Sequence, residues 1–188
     1  MIIFVPSERV PMKSLQEKYA PNSICFGCGP ANHQGLKIQS LDSGNRHPDF
    51  NQPIVIAEFQ PLSHHEAFPG MVNGGIIGAL LDCHSNWTAC YSLMRNWGDQ
   101  EPPCTVTADF HVKLRAPTPS NQKVRLKAWS VDLGQTDLQG GIGKKPTRTK
   151  IEAQLFTLSP EGLEVLTATC VGTFVAVQPG HPAYHRWG

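Results

Sequence analysis

Apolar residues fall at every second position in several short runs of this chain and at helical spacing in one long stretch. Strand-like runs cover 36–41, 54–59, 105–114, 124–131, 147–158 and 163–177, with apolar and polar residues alternating in 36–41, 105–114 and 124–131. Turn-forming residues close them: Pro61, Pro117, Gly134, and Ser159-Pro160-Glu161-Gly162 between the last two. These runs predict six strands. From Ile76 to about Arg95 there is no proline, and the apolar residues Ile76, Ile77, Leu80, Leu81, Trp87, Cys90, Leu93 and Met94 cover most of a helical wheel. A helix that is apolar nearly all round is a buried one. A short helix-capable stretch lies at 12–19, and 42–53, 62–72 and 134–146 read as loops, the last a hairpin tip rich in Gly, Lys and Gln. The order is two strands, one buried helix, then four strands. One helix against one largely antiparallel sheet is an α+β arrangement. A single helix is buried in this way only if the sheet curls around it.

The length of 188 residues suits one domain, read here as an N-terminal extension (1–23), a folded domain (24–178) and a tail (179–188). Hydrophobic residues are 40% of the chain, enough for a core, while charged residues are only 16%, below the usual quarter. Either a partner subunit covers part of the surface, or the 17 Gly and 16 Pro make the chain unusually rich in turns. The net charge is +1, and no block of like charges appears, so nucleic-acid binding has no support. Lys113, Arg115, Lys123, Arg125 and Lys127 alternate with Val112, Leu114, Val124 and Leu126. They read as the wet face of a strand pair, with contact to the phosphates of a nucleotide-bearing substrate as the other use. The start Met1-Ile2-Ile3-Phe4-Val5 meets Pro6 too soon for a signal-peptide core. No apolar run reaches the roughly 20 residues of a membrane span. A soluble, cytoplasmic protein is expected.

There are six cysteines. Cys83 and Cys90 fall in the helical pattern, and Cys104 and Cys170 in or beside strands, where reduced cysteines serve as small core residues. Cys25 and Cys28 form one C-x-x-C. A structural zinc site needs four ligands, and His33 is the only third ligand nearby, so neither a metal nor another cofactor is expected.

Asp82 lies mid-helix among apolar neighbours, where a carboxylate is costly unless paired or used. Gly75, Gly78, Asp82, Ser85, Asn86 and Ala89 share one side of the helix. This small and polar stripe either lies under a closely packed backbone or lines a ligand channel with Asp82 as the reactive group. Asn73 is a good N-cap residue, and the Gly74-Gly75 pair leaves its amide N–H groups unshielded at a helix start, where negative charge is attracted. An oxyanion placed there would be stabilised. Gly74 and Asp82 are eight residues apart, a rise of roughly 12 Å, which is far for one reacting centre.

The segment Pro69-Gly70-Met71-Val72-Asn73-Gly74-Gly75, running on to Leu81-Asp82, resembles the helix-opening motif of hotdog-fold thioesterases of the PaaI type. In that motif P-G-x-V-H-G-G precedes an acid eight residues after the first glycine of its G-G pair. Cys25-Phe26-Gly27-Cys28-Gly29-Pro30 with Asn32 and Gly35-Leu36 is similar to the C-F-G-C-G-P-x-N-x-x-G-L opening of one branch. Thr107-Ala108-Asp109-Phe110 with Arg115-Ala116-Pro117 is similar to the strand after the helix. Together these span about 24–178 in matching order.

The resemblance implies a hotdog fold, a curved antiparallel sheet around one central helix. It implies an acyl-CoA thioesterase that needs no cofactor and builds its site at a homodimer interface, with a dimer of dimers left open. Asp82 would activate water or attack the thioester carbonyl, and the Gly74 N–H would hold the thioester oxygen. Thr107 would reach the site from the partner subunit and help place water, and His65 matches a loop histidine before the P-G turn. Asn73, Gly75, Ile77, Trp87 and Phe110 are the expected substrate-binding residues. Asn73 departs from the family histidine: it can cap and hydrogen-bond, but it cannot titrate. That departure keeps a non-catalytic acyl-CoA-binding protein as the alternative. A hotdog dehydratase would need an Asp and His set together, and His84 falls on a different side of the helix from Asp82.

Overall fold

The computed structural model describes residues 13–133 and 146–184. The hairpin tip expected at 134–146 therefore lies almost wholly outside the described residues, as do the first twelve residues and the end of the tail. The chain order is α1 (Leu15–Tyr19), β1 (Gln39–Arg46), β2 (Pro53–Phe59), a 3-10 turn (Ser63–His65), β3 (Glu66–Phe68), β4 (Met71–Val72), α2 (Gly74–Trp97), β5 (Thr105–Leu114), β6 (Val124–Asp132), β7 (Arg148–Leu158) and β8 (Glu164–Ala176). Six strands form one antiparallel sheet in the order β1-β2-β6-β7-β8-β5, and β3 and β4 form a separate small hairpin. α2 thus carries the chain from the β2 side of the sheet to its far edge, where β5 lies.

The sheet buries one face on α2. Along β7 the residues Thr149, Ile151, Ala153, Leu155 and Thr157 are buried and alternate with more exposed neighbours, as a one-sided strand requires. Leu80, Leu81 and Trp87 of α2 join Val55, Leu126, Ile151, Leu155 and Phe174 in a single core. Each fully buried side chain of this size contributes about 1.5–3 kcal/mol. On the outer face Glu58 pairs with Lys123 and Arg125, and Glu164 with Arg125 and Lys127, at 2.6–3.1 Å. Three of the five basic residues are thereby neutralised on the wet side of the sheet.

Both ends of α2 are set by local chemistry. The Asn73 side chain accepts the Gly75 N–H at 2.7 Å. Gly98 takes the left-handed conformation (φ 72°) and returns its N–H to the Met94 carbonyl. α1 opens with a capping box between Ser14 and Glu17. Gln16 exchanges two hydrogen bonds with Ser40, through Gln16 Nε2 to Ser40 Oγ (3.0 Å) and Ser40 N to Gln16 Oε1 (2.8 Å). Ser40 Oγ in turn meets His84 Nδ1 at 2.9 Å, and His84 Nε2 meets the Val55 carbonyl at 3.2 Å. This buried network ties the N-terminal arm to the middle of α2.

Three boundaries differ from the sequence expectation. The first strand is 39–46, not 36–41. Leu36 and Ile38 are buried as their alternation implies, but Lys37 sits at φ 51°, which breaks an extended run. The supposed loop at 62–72 contains the β3–β4 hairpin, turned at Pro69-Gly70 with Gly70 at φ 82°. The helix starts at Gly74, two residues earlier than its apolar pattern does, because the cap and not the hydrophobic face fixes the first turn.

Candidate active site

Asp82 and Thr107 meet where the middle of α2 crosses the start of β5. Thr107 Oγ1 donates to Asp82 Oδ1 at 2.7 Å. One helical turn further, Asn86 and Thr105 repeat the contact: Thr105 Oγ1 donates to Asn86 Oδ1 at 2.7 Å, and Asn86 Nδ2 donates to the Thr105 carbonyl at 3.3 Å. The i, i+4 step of the helix thus matches the i, i+2 step of the strand. The pairing of β5 with β8 slips by one residue between Thr107 and Asp109, a bulge beside the residue that holds Asp82. Gly172 permits it: a Cβ there would stand 2.9 Å from the Asp109 carbonyl oxygen and 3.0 Å from Phe110 Cβ.

Asp82 opens on a cleft of about 150 Å³ that it shares with Cys25, Cys28, Cys83, Asn86 and Thr105. Burial pushes its carboxyl above the usual aspartate range, the Thr107 hydroxyl pulls it back, and the nearby Cys25 adds to the upward push. Cys25 is itself held low by the Cys28 and Cys83 thiols beside it, whereas Cys83 is pushed up by the same two neighbours and by burial. The cleft is smaller than the roughly 300 Å³ at which small-molecule pockets begin. One chain alone offers no acyl-sized cavity here.

The remaining predicted residues separate into three places. Asn73, Gly74 and Gly75 lie at the exposed start of α2. Asn73 takes the Gly75 N–H, while helix geometry leaves the Gly74 N–H without an intrahelical acceptor. His65 lies just behind this start, where its carbonyl accepts the Asn73 N–H at 2.8 Å. Its Nδ1 accepts the Leu62 N–H at 3.0 Å, its ring rests against Phe59 and His64, and burial holds its pKa low. His65 therefore supports the turn that presents Gly74. Ile77 and Trp87 are core residues, Trp87 also reaching the Asp82 cleft, and Phe110 is exposed on the edge strand β5. Thr107 bonds Asp82 of its own chain, whereas the resemblance implies a position reached from a partner. His84 points into the buried network and not toward Asp82, which removes the Asp–His pairing a dehydratase would use.

The helix stripe changes character along its length. A Cβ at Gly78 would meet nothing within 4 Å, and one at Gly74 would meet only Leu114 Cδ1, at 3.3 Å. Ser85 and Ala89 are fully buried. The stripe is thus open at Gly74 and Gly78, and close packing begins beyond Asp82. The Asn86–Thr105 pair leaves only a faint trace in the sequence, Asn86 one turn from Asp82 and Thr105 two residues from Thr107. The approach of Cys83 to the C-x-x-C leaves none.

Solved structures share this architecture. An acyl-CoA hydrolase from Staphylococcus aureus, determined with coenzyme A, superimposes with a TM-score of 0.53 at 19% identity, over 70% of this chain and 69% of its own. A thioesterase superfamily protein from Shewanella loihica gives 0.50 at 22% identity, over 79% and 98%. A hexameric acyl-CoA thioesterase gives 0.53 at 18%, over 70% and 74%. Neither a family model nor a curated protein sequence matches the chain. At these identities the likeness establishes the fold: the chain is a hotdog-fold protein, with one long helix packed on a large antiparallel sheet. No described helix is long and apolar enough to cross a membrane.

Proposed function

We propose that this protein is an acyl-CoA thioesterase that hydrolyses a fatty or aromatic acyl-CoA to the free acid and coenzyme A. The observation that carries the reading is Asp82, a half-buried carboxylate held by Thr107 beside a cleft, on the same helix whose exposed start carries Gly74. Acyl-CoA hydrolases with the same fold add to it. Asp82 takes a proton from water as the water oxygen bonds to the thioester carbon. The Gly74 N–H, at the positive end of α2, receives the developing oxyanion. The tetrahedral centre then expels the coenzyme A sulfur, which recovers the proton from Asp82. Direct attack by Asp82, followed by hydrolysis of the anhydride, gives the same products. Asn73 satisfies the helix cap without titrating, so the role left to this position is to hold the Gly74-Gly75 turn.

The same reading calls for a homodimer. Gly74 and Asp82 of one chain are separated by roughly 12 Å of helix, and the cleft at Asp82 is too small for an acyl group. β5 is an edge strand that exposes Phe110 and Leu114, and Leu114 reaches the Gly74 turn. A second copy joined along β5 extends the sheet, covers this apolar edge, and brings a second helix start toward the Asp82 cleft.

Incubation with short, long and aromatic acyl-CoAs, with free coenzyme A measured by chromatography, tests the activity. Release that is lost in Asp82→Asn supports hydrolysis. Tight acyl-CoA binding without release replaces it with the non-catalytic binding protein. Failure both to bind and to release rules out both readings.

A further inference from the structure

Cys25, Cys28 and Cys83 come from two separate parts of the fold, and their three sulfur atoms all lie within 4.8 Å of one another. We propose that these three thiolates bind one borderline-soft divalent metal ion, Zn²⁺ by preference, with a water from the Asp82 cleft as the fourth ligand. The inference is independent of the thioester reading, because it rests on the sulfur geometry alone.

Cys25 Sγ and Cys83 Sγ stand 3.7 Å apart. Four tetrahedral ligands with Zn–S bonds near 2.3 Å place neighbouring sulfurs about 3.8 Å apart. A disulfide would need roughly 2.05 Å, so the two sulfurs stand at ligand and not at bonding distance. The loop that carries Cys25 and Cys28 is built as a tight knuckle. The Gly29 N–H returns to the Cys25 carbonyl at 2.9 Å, and the Leu36 and Ile38 N–H groups bond the carbonyls of Phe26 and Gly27. The Asn32 side chain bridges the Ile24 carbonyl and the Gln34 N–H. Gly27 is the point of closest approach to α2, since a Cβ there would stand 2.3 Å from Cys83 Sγ. Any larger residue would lift the knuckle off the helix and part the sulfurs. Trp87 Nε1 is 3.2 Å from Cys28 Sγ, an outer N–H of the kind that steadies a metal-bound thiolate.

His33, the third ligand that the sequence offers, is exposed and does not belong to the cluster. The third ligand comes instead from α2, one residue beyond Asp82. All three cysteines line the same cleft as Asp82, Asn86 and Thr105, so solvent reaches the fourth position without rearrangement. Three protein ligands with one open position is an arrangement that zinc commonly adopts. Binding displaces thiol protons to solvent, and it pins the 23–38 loop to the centre of the helix.

The test uses the full chain, purified anaerobically without chelators. Metal analysis should find one zinc per chain. Replacement by Co²⁺ should give the intense near-ultraviolet band of thiolate-to-cobalt charge transfer, which adventitious sites on histidine or carboxylate lack. Cys83→Ser and, separately, Cys25→Ser should each lower Zn²⁺ affinity by more than about 100-fold, and Trp87→Phe by about tenfold, the low end of what loss of an outer partner costs. Cys104→Ala, outside the cluster, should retain the metal and the band. Circular dichroism shows which variants fold, and the exposed Cys25 serves if Cys83→Ser does not. A folded, reduced chain that gives no charge-transfer band overturns the assignment. So does a band unchanged in Cys25→Ser, or a disulfide among these three cysteines in protein never exposed to oxygen.

Discussion

Thr107 hands its hydroxyl hydrogen to Asp82 across 2.7 Å, and this contact, with the Asn86–Thr105 pair one turn on, couples the edge strand to the middle of the central helix. A hydrogen bond to a charged group is worth about 1.5–3 kcal/mol, and about 1.4 kcal/mol is tenfold in rate. Thr107→Val keeps the shape and removes the donor. It should lower kcat by roughly 10- to 100-fold with little change in KM, while Thr107→Ser should recover most of the loss. Equal activity in wild type and Thr107→Val would show that the carboxylate does not need this partner.

Asp82→Asn tests the chemistry with the contact preserved, since the amide oxygen still accepts from Thr107. Loss of a general acid–base group costs about 10²- to 10⁴-fold in turnover. Stability should hold or rise, because a half-buried carboxylate that burial already disfavours is replaced by a neutral group. Steady-state kinetics and thermal unfolding of the same preparation separate the two effects. A variant that is inactive because it is unfolded would not count in favour.

Phe110 is 42% exposed and Leu114 59% exposed, both on the free edge of the sheet. Phe110→Lys with Leu114→Arg should convert a dimer to a monomer in analytical ultracentrifugation and should abolish thioester cleavage with it. A wild-type chain that sediments as a monomer yet turns over acyl-CoA would remove the need for a second copy.

His84 sets a pH dependence of stability. Complete burial lowers its pKa from 6.5 to about 4, against a smaller upward pull from the Val55 carbonyl. The unfolded chain therefore takes up the proton first as pH falls, so the stabilisation present above pH 6.5 is lost on the way down to about 4. Between pH 7 and 5 the loss should be about 2 kcal/mol, in a window above most carboxylate titrations. His65, also lowered by burial, adds in the same direction. Urea unfolding at a series of pH values measures the slope, and His84→Gln should flatten it.

The elements that were legible in the sequence are those whose signals are local. The buried helix is marked by its apolar wheel, the absence of proline and the Asn73 cap, and β5 by alternation closed by Pro117. β1 was harder to place, because Asp42, Ser43, Gly44 and Asn45 look like loop. It lies at the outer edge of the sheet, where half-exposed polar residues are tolerated. Asp82 stood out as a charge on an apolar helix. Its contact with Thr107, by contrast, depends on how β5 is laid across α2, and no spacing encodes that. The meeting of Cys83 with Cys25 and Cys28 was hidden for the same reason, since 58 residues separate Cys25 from Cys83. So was the Gln16–Ser40–His84 network, which joins three elements distant in the chain.

That network sets a lower limit on how far the protein can be trimmed. A fragment beginning after Ser40 leaves the His84 imidazole facing a void with its Nδ1 unanswered, and the site acid is carried on the same helix two residues away. The start of β1 is therefore a part of the minimal folding unit, and a version cut beyond it should arrive insoluble long before its chemistry could be assayed.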